Sequence, residues 1–166
     1  MKKKLFRFFR VFLFPELNRK LLVRLIVIIV LATVLCCIFQ PCFISGSSMA
    51  PTYHDGGFAI CFRLRYLFST PEPGDIVVID YFGRRKLLKR VVASAGDTVE
   101  FRHGKLFVNG TEKDEPYVKF PCEWNIAPVT VRPGFCFVAG DNRSQDPLEH
   151  KFGEVSLKRI TGGALF

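Results

Sequence analysis

Residues 75–93 read D-I-V-V-I-D-Y-F-G-R-R-K-L-L-K-R-V-V-A, and this stretch indicates the fold class. Its two apolar runs, residues 75–81 and 87–93, have the length and the valine and isoleucine content of buried strands. Pro73 and Gly74 stand before the first run as a turn signal. No amphipathic stretch of helical length competes with this pattern, so we expect two β-strands here.

Short β-rich runs of the same kind lie on both sides of this stretch. They occupy residues 58–63, 98–102, 106–109, 135–139 and 159–166. Pro133-Gly134 precedes one run, while His103-Gly104 and Asn109-Gly110 are typical of hairpin turns. Residues 115–133, which hold several prolines and the single tryptophan, predict a long loop or insertion. The sequence therefore predicts a mainly all-β protein with an antiparallel sheet.

An apolar segment precedes the β-rich part of the chain. Residues 21–39 read L-L-V-R-L-I-V-I-I-V-L-A-T-V-L-C-C-I-F, with Arg24 as the only charge. As a helix they would measure roughly 28 Å, close to the hydrocarbon thickness of a bilayer, and Arg24 can extend back to the interface. We interpret residues 21–42 as one N-terminal transmembrane helix.

The alternative interpretation of this segment is a cleaved signal peptide. Ser45 and Ser47 have the spacing of small residues at a cleavage site. However, the apolar region of a signal peptide has about 7 to 15 residues, and this one is longer. The length therefore favours a membrane span.

The positive charge of the chain is concentrated before this segment. The 166 residues carry a net charge of +9, which would ordinarily suggest a nucleic acid or an anionic surface as partner. Residues 1–24 hold eight cations and one acid, whereas the remaining 142 residues have a net charge of only +2. We expect residues 1–20 to be a basic and aromatic segment in the cytoplasm, against the lipid bilayer, and residues 43–166 to lie outside. No nucleic acid partner is expected.

The six cysteines give no sign of a metal centre. No C-x-x-C pair and no His/Cys ligand spacing occurs in the sequence, so we expect no metal. Cys122 and Cys136 could form a disulfide if the outer compartment is oxidising. Buried free thiols are the equally simple alternative.

Two stretches depart from the pattern of a plain β domain. Residues 45–52 read S-G-S-S-M-A-P-T, and such small residues let the backbone approach a ligand, although a linker has the same composition. In residues 86–93, strand alternation places Lys89 on one face and Arg90 on the other, each among apolar neighbours. One of these cations is therefore expected to be buried. A desolvated lysine can lose its proton and act as a general base, whereas a lysine that extends to the edge cannot.

Three motifs in this order carry a family resemblance. S-G-S-S-M-A-P-T at residues 45–52, K-R-V-V-A-S-A-G-D at 89–97 and G-D-N-R at 140–143 follow a membrane span. Together they resemble the type I signal peptidases, which are membrane serine proteases with a Ser/Lys dyad. R-I-T-G-G-A-L-F at residues 159–166 is similar to the closing strand of that family.

The resemblance implies roles for individual residues. Ser48, directly before M-A-P-T, would be the nucleophile, and its backbone N–H would help to bind the oxyanion. Lys89 would be the general base, so no cofactor is needed. Some family members have a serine two positions before the nucleophile, but Gly46 stands here and offers no side-chain donor.

The G-D-N-R box departs from the usual family pattern. Family members continue with a serine that contacts the catalytic lysine, whereas an ungapped alignment places Asp146 there. A carboxylate beside a lysine favours the ammonium form and opposes a role as base, so we prefer Ser144 as the orienting hydroxyl. Gly140, Asp141, Asn142 and Arg143 are expected to support the site through a structural turn and ion pairs.

The expected activity is the removal of signal peptides from exported preproteins. The resemblance implies small residues at the first and third positions before the cut, with Phe43 and Ile44 walling shallow pockets for an extended peptide. The bacterial plasma membrane is the expected location, and organelle inner membranes come second. The alternatives are an inactive membrane-tethered β module that binds exported peptides, a LexA-like autocleaving Ser/Lys protein, and a serine protease that uses His54 as base.

Overall fold

A single long helix opens the described part of the chain. The computed structural model describes residues 18–81, 85–120, 122–144 and 153–165, and helix α1 spans Arg19–Ile38. Asn18 begins the helix, because its Oδ1 accepts the N–H of Leu21 at 2.8 Å. The helix has 20 residues, about 30 Å, none of them buried, and it is long and apolar enough to cross a membrane.

The helix ends earlier than the sequence predicted. Residues 39–42 do not extend it to the predicted boundary at 42, because Phe39–Phe43 form strand β1. Pro41 explains the difference, since proline cannot continue a helix and disfavours the helical conformation of the residue before it. The chain divides into one compact unit that ends at Cys37 and a second that begins at Ile38. Of the predicted cytoplasmic segment, residues 1–17 lie outside the described residues.

The second unit contains two antiparallel sheets. After β1 the strands are β2 (Phe58–Phe62), β3 (Ile76–Tyr81), β4 (Arg85–Ala93), β5 (Thr98–Arg102), β6 (Lys105–Val108), β7 (Thr111–Glu112), β8 (Ile126–Thr130), β9 (Phe135–Ala139), β10 (Gly153–Ser156) and β11 (Ile160–Leu165). The larger sheet has the order β1-β2-β11-β3-β4-β9-β10, and the smaller has the order β7-β6-β5-β8. The predicted fold class, mainly antiparallel β with one N-terminal apolar helix, is confirmed.

The two predicted hairpin turns are also present. His103 and Gly104 join β5 to β6 with φ of 48° and 77°, and Asn109 and Gly110 join β6 to β7 with φ of 53° and 75°. Positive φ at both positions is the geometry that such dipeptides favour. The predicted loop at 115–133 is wrong in part, because Ile126–Thr130 pairs with β5 as strand β8.

Separate apolar clusters fill the second unit. One packs residues 47–53 against the larger sheet and consists of Met49, Tyr53, Ala59, Ile76 and Ala164. Another joins the smaller sheet to β4 and β9 and consists of Val92, Ala93, Val99, Phe101, Leu106, Val108, Trp124, Val131, Phe137 and Ala139. The segment that holds Ser48 is thus attached to the larger sheet through buried side chains.

Candidate active site

Ser48 lies in a tight turn between β1 and β2. The turn is closed by two backbone hydrogen bonds, from Ala50 N–H to Ser47 O at 3.0 Å and from Tyr53 N–H to Met49 O at 2.9 Å. Met49 is 1% exposed, whereas its neighbour Ser48 is only half-buried. The buried methionine therefore anchors the turn and leaves the Ser48 side chain near the surface.

The G-D-N-R segment holds this turn from the other side. Asn142 donates its backbone N–H to Ser48 O at 3.0 Å and its side-chain amide to Ser47 O at 3.1 Å. Thr52 Oγ1 donates to Asp141 Oδ2. Two motifs that lie about 90 residues apart in sequence are thus joined by three hydrogen bonds.

Strand β4 brings the third motif to the same place. The sequence predicts that one of Lys89 and Arg90 is buried, and in the structure both are, with 2% and 9% of the residue exposed. Arg90 donates to both carboxylate oxygens of Asp141 at 2.8 and 2.7 Å, and its guanidinium lies 3.9 Å from the ring centre of Tyr117. The buried Asp141 carboxylate therefore connects β4 to the turn of Ser48.

A small cavity of about 50 Å³ adjoins Ser48. Its lining combines the segment after β1, the Ser48 turn, β3 and β4: Cys42, Phe43, Ile44, Ser45, Gly46, Ser48, Met49, Val78, Lys86, Leu87 and Leu88. Lys89 directly follows the two leucines in β4. Phe43 and Ile44, the predicted pocket walls, both line this cavity, while their contact with a substrate stays a prediction.

Gly46 shapes the approach to Ser48. Its φ of +101° lies in the region that favours glycine, and its N–H donates to Asp55 Oδ1 at 2.7 Å. Gly46 therefore contributes to the local backbone geometry, and its amide is already engaged by a carboxylate.

A comparison with family models identifies the chain. The model described as "Signal peptidase, peptidase S26" matches residues 18–166. The chain belongs to the signal peptidase family, peptidase S26. All three motifs of the site lie within the matched residues.

Relatives within the signal peptidase family agree with this assignment. Thylakoidal processing peptidase 1, chloroplastic, of Arabidopsis thaliana is 34% identical over 139 residues, which cover 76% of this chain and 41% of that protein. Signal peptidase I of Bacillus caldolyticus is 30% identical over 151 residues, covering 82% and 83%. The chain spans about two fifths of the length of the two Arabidopsis relatives it matches. A solved signal peptidase I from Enterococcus faecalis V583 is 25% identical, with a TM-score of 0.47 and coverage of 59% and 98%.

Ser144 and Arg143, two residues expected to support the site, differ in how deeply they are buried. Ser144 is exposed, and its hydroxyl donates to Asn142 Oδ1 at 2.7 Å, so that its predicted contact with Lys89 stays a prediction. Asp146 lies outside the described residues. Arg143 is fully buried and donates to the Glu115 carboxylate at 3.1 and 2.6 Å and to Gly140 O at 2.7 Å. Arg143 thus ties the G-D-N-R segment to the segment before β8.

Two further expectations concern His54 and the cysteines. His54 is exposed and lies in a turn, where its carbonyl accepts the N–H of Gly57 at 3.1 Å. This is the turn that Asp55-Gly56 indicates in the sequence.

Cys122 and Cys136, the pair that could form a disulfide, are both free thiols. In the described part of the chain, no group of three His, Cys, Asp or Glu side chains could hold a metal ion.

Some members of the site were not identified from the sequence, among them Lys86 and Cys42, which line the cavity. Asn142 is expected from the sequence only as part of a supporting turn, and the structure adds its hydrogen bonds to the Ser48 turn. Strand alternation in β4 places Lys86 on the face opposite Lys89, so this pattern gives no signal for Lys86. The contacts of Asn142 depend on tertiary folding, which leaves no local signal.

Proposed function

We propose that this chain is a membrane-anchored serine endopeptidase that cleaves N-terminal signal peptides from preproteins with a Ser48/Lys89 dyad. The observation that carries the proposal is that the three motifs meet at the Ser48 turn, and this turn adjoins a cavity. Ser48 lines the cavity, Asn142 and Asp141 hold its turn, and Lys89 is buried in β4 beside the cavity wall. Membership of the signal peptidase family and the apolar helix α1 support it.

Burial supports Lys89 as the base. Its side chain is 2% exposed in β4, opposite Val77 of β3, and burial disfavours the ammonium form of a lysine. A neutral amine at Lys89 would accept the proton of Ser48 Oγ while that oxygen attacks the scissile carbonyl. The ammonium formed at Lys89 would then give its proton to the departing amine, which leaves an acyl-enzyme on Ser48. A water molecule that gives a proton to Lys89 would attack the acyl carbonyl. Ser48 Oγ would take that proton back as the new carboxyl terminus leaves.

The backbone of the Ser48 turn supplies an oxyanion donor. Among the described residues, the N–H of Ser48 has no hydrogen-bond acceptor, whereas the carbonyl of Ser48 is fixed by Asn142. A fixed and unoccupied N–H beside the nucleophile can stabilise the negative charge that forms on the carbonyl oxygen. Gly46 contributes no side chain to this task.

The strands on both sides of the cavity suit an extended peptide. Strand β1 lies at one edge of the larger sheet. Strand β4 pairs with β9 only from Arg90 onward, so in the described part of the chain the β4 residues before Arg90 have a strand partner on one side only. A peptide between these edges could bond to both. The small volume of the cavity agrees with small side chains at the first and third positions before the bond.

The charge distribution supports an orientation in the bilayer. Seven of the nine net positive charges lie in residues 1–24, at the start of the apolar segment, and cationic flanks stay in the cytoplasm. The catalytic unit would then lie on the outer face, and the plasma membrane of a bacterium is the proposed location. Protease added outside intact cells should digest the β-rich unit. Protection of that unit would reverse the orientation.

A preprotein cleavage assay tests the proposal. The full chain in detergent should cut a preprotein with an Ala-x-Ala site, and Ser48→Ala and Lys89→Ala should each reduce kcat/KM by at least about 10³-fold. Ser69→Ala and Lys113→Ala, which alter an exposed serine and an exposed lysine away from the cavity, are the matched controls.

The outcomes separate the competing functions. Full activity in Ser48→Ala or Lys89→Ala would reject the dyad, and a loss confined to His54→Ala would favour a histidine base. A wild-type chain that binds preproteins without cutting them would instead be a tethered binding module. Cleavage only of its own chain would correspond to the LexA-like alternative.

A further inference from the structure

One charged side chain lines the cavity beside Ser48. Among the described lining residues, Lys86 is the only one with a charge, and the others are apolar, small or hydroxyl- or thiol-bearing. Lys86 is exposed, and its Nζ donates to Gln40 Oε1 at 3.1 Å. An ammonium group has three donors, so the contact with Gln40 leaves two for another acceptor.

The position of Lys86 relates it to the reacting residues. Lys86 precedes Lys89 by three residues in β4, which is about 10 Å along an extended strand. A peptide that lies along β4 advances at the same rate per residue. The ammonium of Lys86 is therefore within reach of substrate side chains two to four residues from the bond that Ser48 attacks.

The carboxylate across the strand pair forms no ion pair with Lys86 in the described part of the chain. Asp80 stands directly opposite Lys86 in β3 and is exposed. The ammonium of Lys86 is directed to the Gln40 amide instead. A substrate carboxylate would thus meet an ammonium that has donors to spare.

We propose that Lys86 is a specificity-determining residue that favours peptide substrates with a carboxylate two to four residues from the scissile bond and disfavours cationic ones. This inference rests on the proposed peptidase activity. An exposed pair of opposite charges is worth up to about a five-fold change in affinity, and salt weakens it. The preference should therefore be modest and should decline at high ionic strength.

A peptide series tests the inference with the full chain in detergent. The peptides keep alanine at the first and third positions before the bond, and one residue is Glu, Gln or Lys. That residue is placed second or fourth before the bond, or second to fourth after it. At one of these positions the wild type should cleave the Glu peptide about two- to five-fold better than the Lys peptide in kcat/KM. The difference should fall toward one in 0.5 M salt.

Variants assign the preference to Lys86. Lys86→Glu should reverse the preference, Lys86→Gln should abolish it, and Asp80→Asn should increase it. Lys105→Glu, which changes a cation of β6 that pairs with Glu112, is the control and should keep the wild-type preference. Equal cleavage of all peptides by the wild type, or an unchanged preference in Lys86→Gln, would overturn the inference alone. If the wild type cuts none of them while binding them, the proposed peptidase activity fails and this inference fails with it.

Discussion

At the scale of single residues, Asp141 joins two of the three motifs through its carboxylate. Its fully buried carboxylate accepts two hydrogen bonds from Arg90 and one from Thr52. Charge-assisted and bidentate bonds of this kind are strong, and each partner would be left unsatisfied without the carboxylate. Asp141 therefore determines the relative position of β4 and the Ser48 turn.

Asp141→Asn should destabilise the protein strongly. The substitution removes the negative charge and leaves the buried Arg90 guanidinium uncompensated, so we expect a loss of about 3–5 kcal/mol in the free energy of unfolding. Denaturant unfolding in detergent measures it. Glu112→Gln, which breaks an exposed pair with Lys105, should cost only about 0.2–1 kcal/mol. Equal losses in both variants would contradict the importance of burial here.

The sequence carries more signal for the candidate nucleophile and base, whose roles stay predictions, than for the contacts that support them. Ser48 and Lys89 stand in short motifs whose residue types and order carry the family resemblance. Asn142 acts through an amide that reaches Ser47, 95 residues away in sequence. Such a contact depends on how the two segments are brought together in the fold, and no spacing or composition within either segment reports it.

At the scale of elements, the two hairpin turns of β6 offer a controlled comparison. Gly104→Ala should destabilise the protein at least twice as much as Gly110→Ala. Both glycines have φ near +75°, so each substitution has a backbone cost of about 1–2 kcal/mol. A Cβ at Gly104 would also lie 2.0 Å from Cys122 O, whereas one at Gly110 meets nothing within 4 Å. Thermal or denaturant unfolding measures the loss of stability in each variant. Equal losses would mean that the backbone near Cys122 shifts to accommodate the added Cβ at little cost.

The strands that the sequence predicts share one property. All seven predicted strands are interior strands of the two sheets, while β1, β7, β8 and β10, the four described edge strands, were missed. Edge strands are short and lack a continuous apolar pattern, and they tolerate proline because one side makes no ladder bonds. Pro41 in β1 and Pro128 in β8 show this, since the sequence places Pro41 in the predicted helix at 21–42 and Pro128 in the predicted loop at 115–133.

At the scale of the whole β-rich unit, buried thiols make stability depend on pH. Burial raises the pKa of Cys61 and of Cys136 from 9.0 to about 11. Below pH 9 the thiols are protonated in both the folded and unfolded states. Between pH 9 and 11 only the unfolded thiols ionise, so the free energy of unfolding should fall as pH rises, by about 1 kcal/mol per thiol at pH 10.

Unfolding at pH 8 and pH 10 measures this dependence. The Cys61→Ala/Cys136→Ala double variant is the reference, because it retains the tyrosines and lysines that also titrate in this range. The wild type should lose about 2 kcal/mol more than the double variant over the interval. An equal decline in both proteins would show that these thiols do not contribute.

The segment between β7 and β8 limits how far this chain could be shortened. Glu115 neutralises Arg143, the Tyr117 ring covers Arg90, and Phe101 and Trp124 lie 5.3 and 5.8 Å from the Arg143 guanidinium. All of these partners of the two arginines except Phe101 lie in residues 115–133, the stretch whose sequence predicts a long loop or insertion. A shortened chain without residues 115–133 would take Glu115 away from Arg143 and the Tyr117 ring away from Arg90, so two buried guanidinium groups would lose these contacts. Miniaturisation would therefore require both arginines to be redesigned together with the deletion.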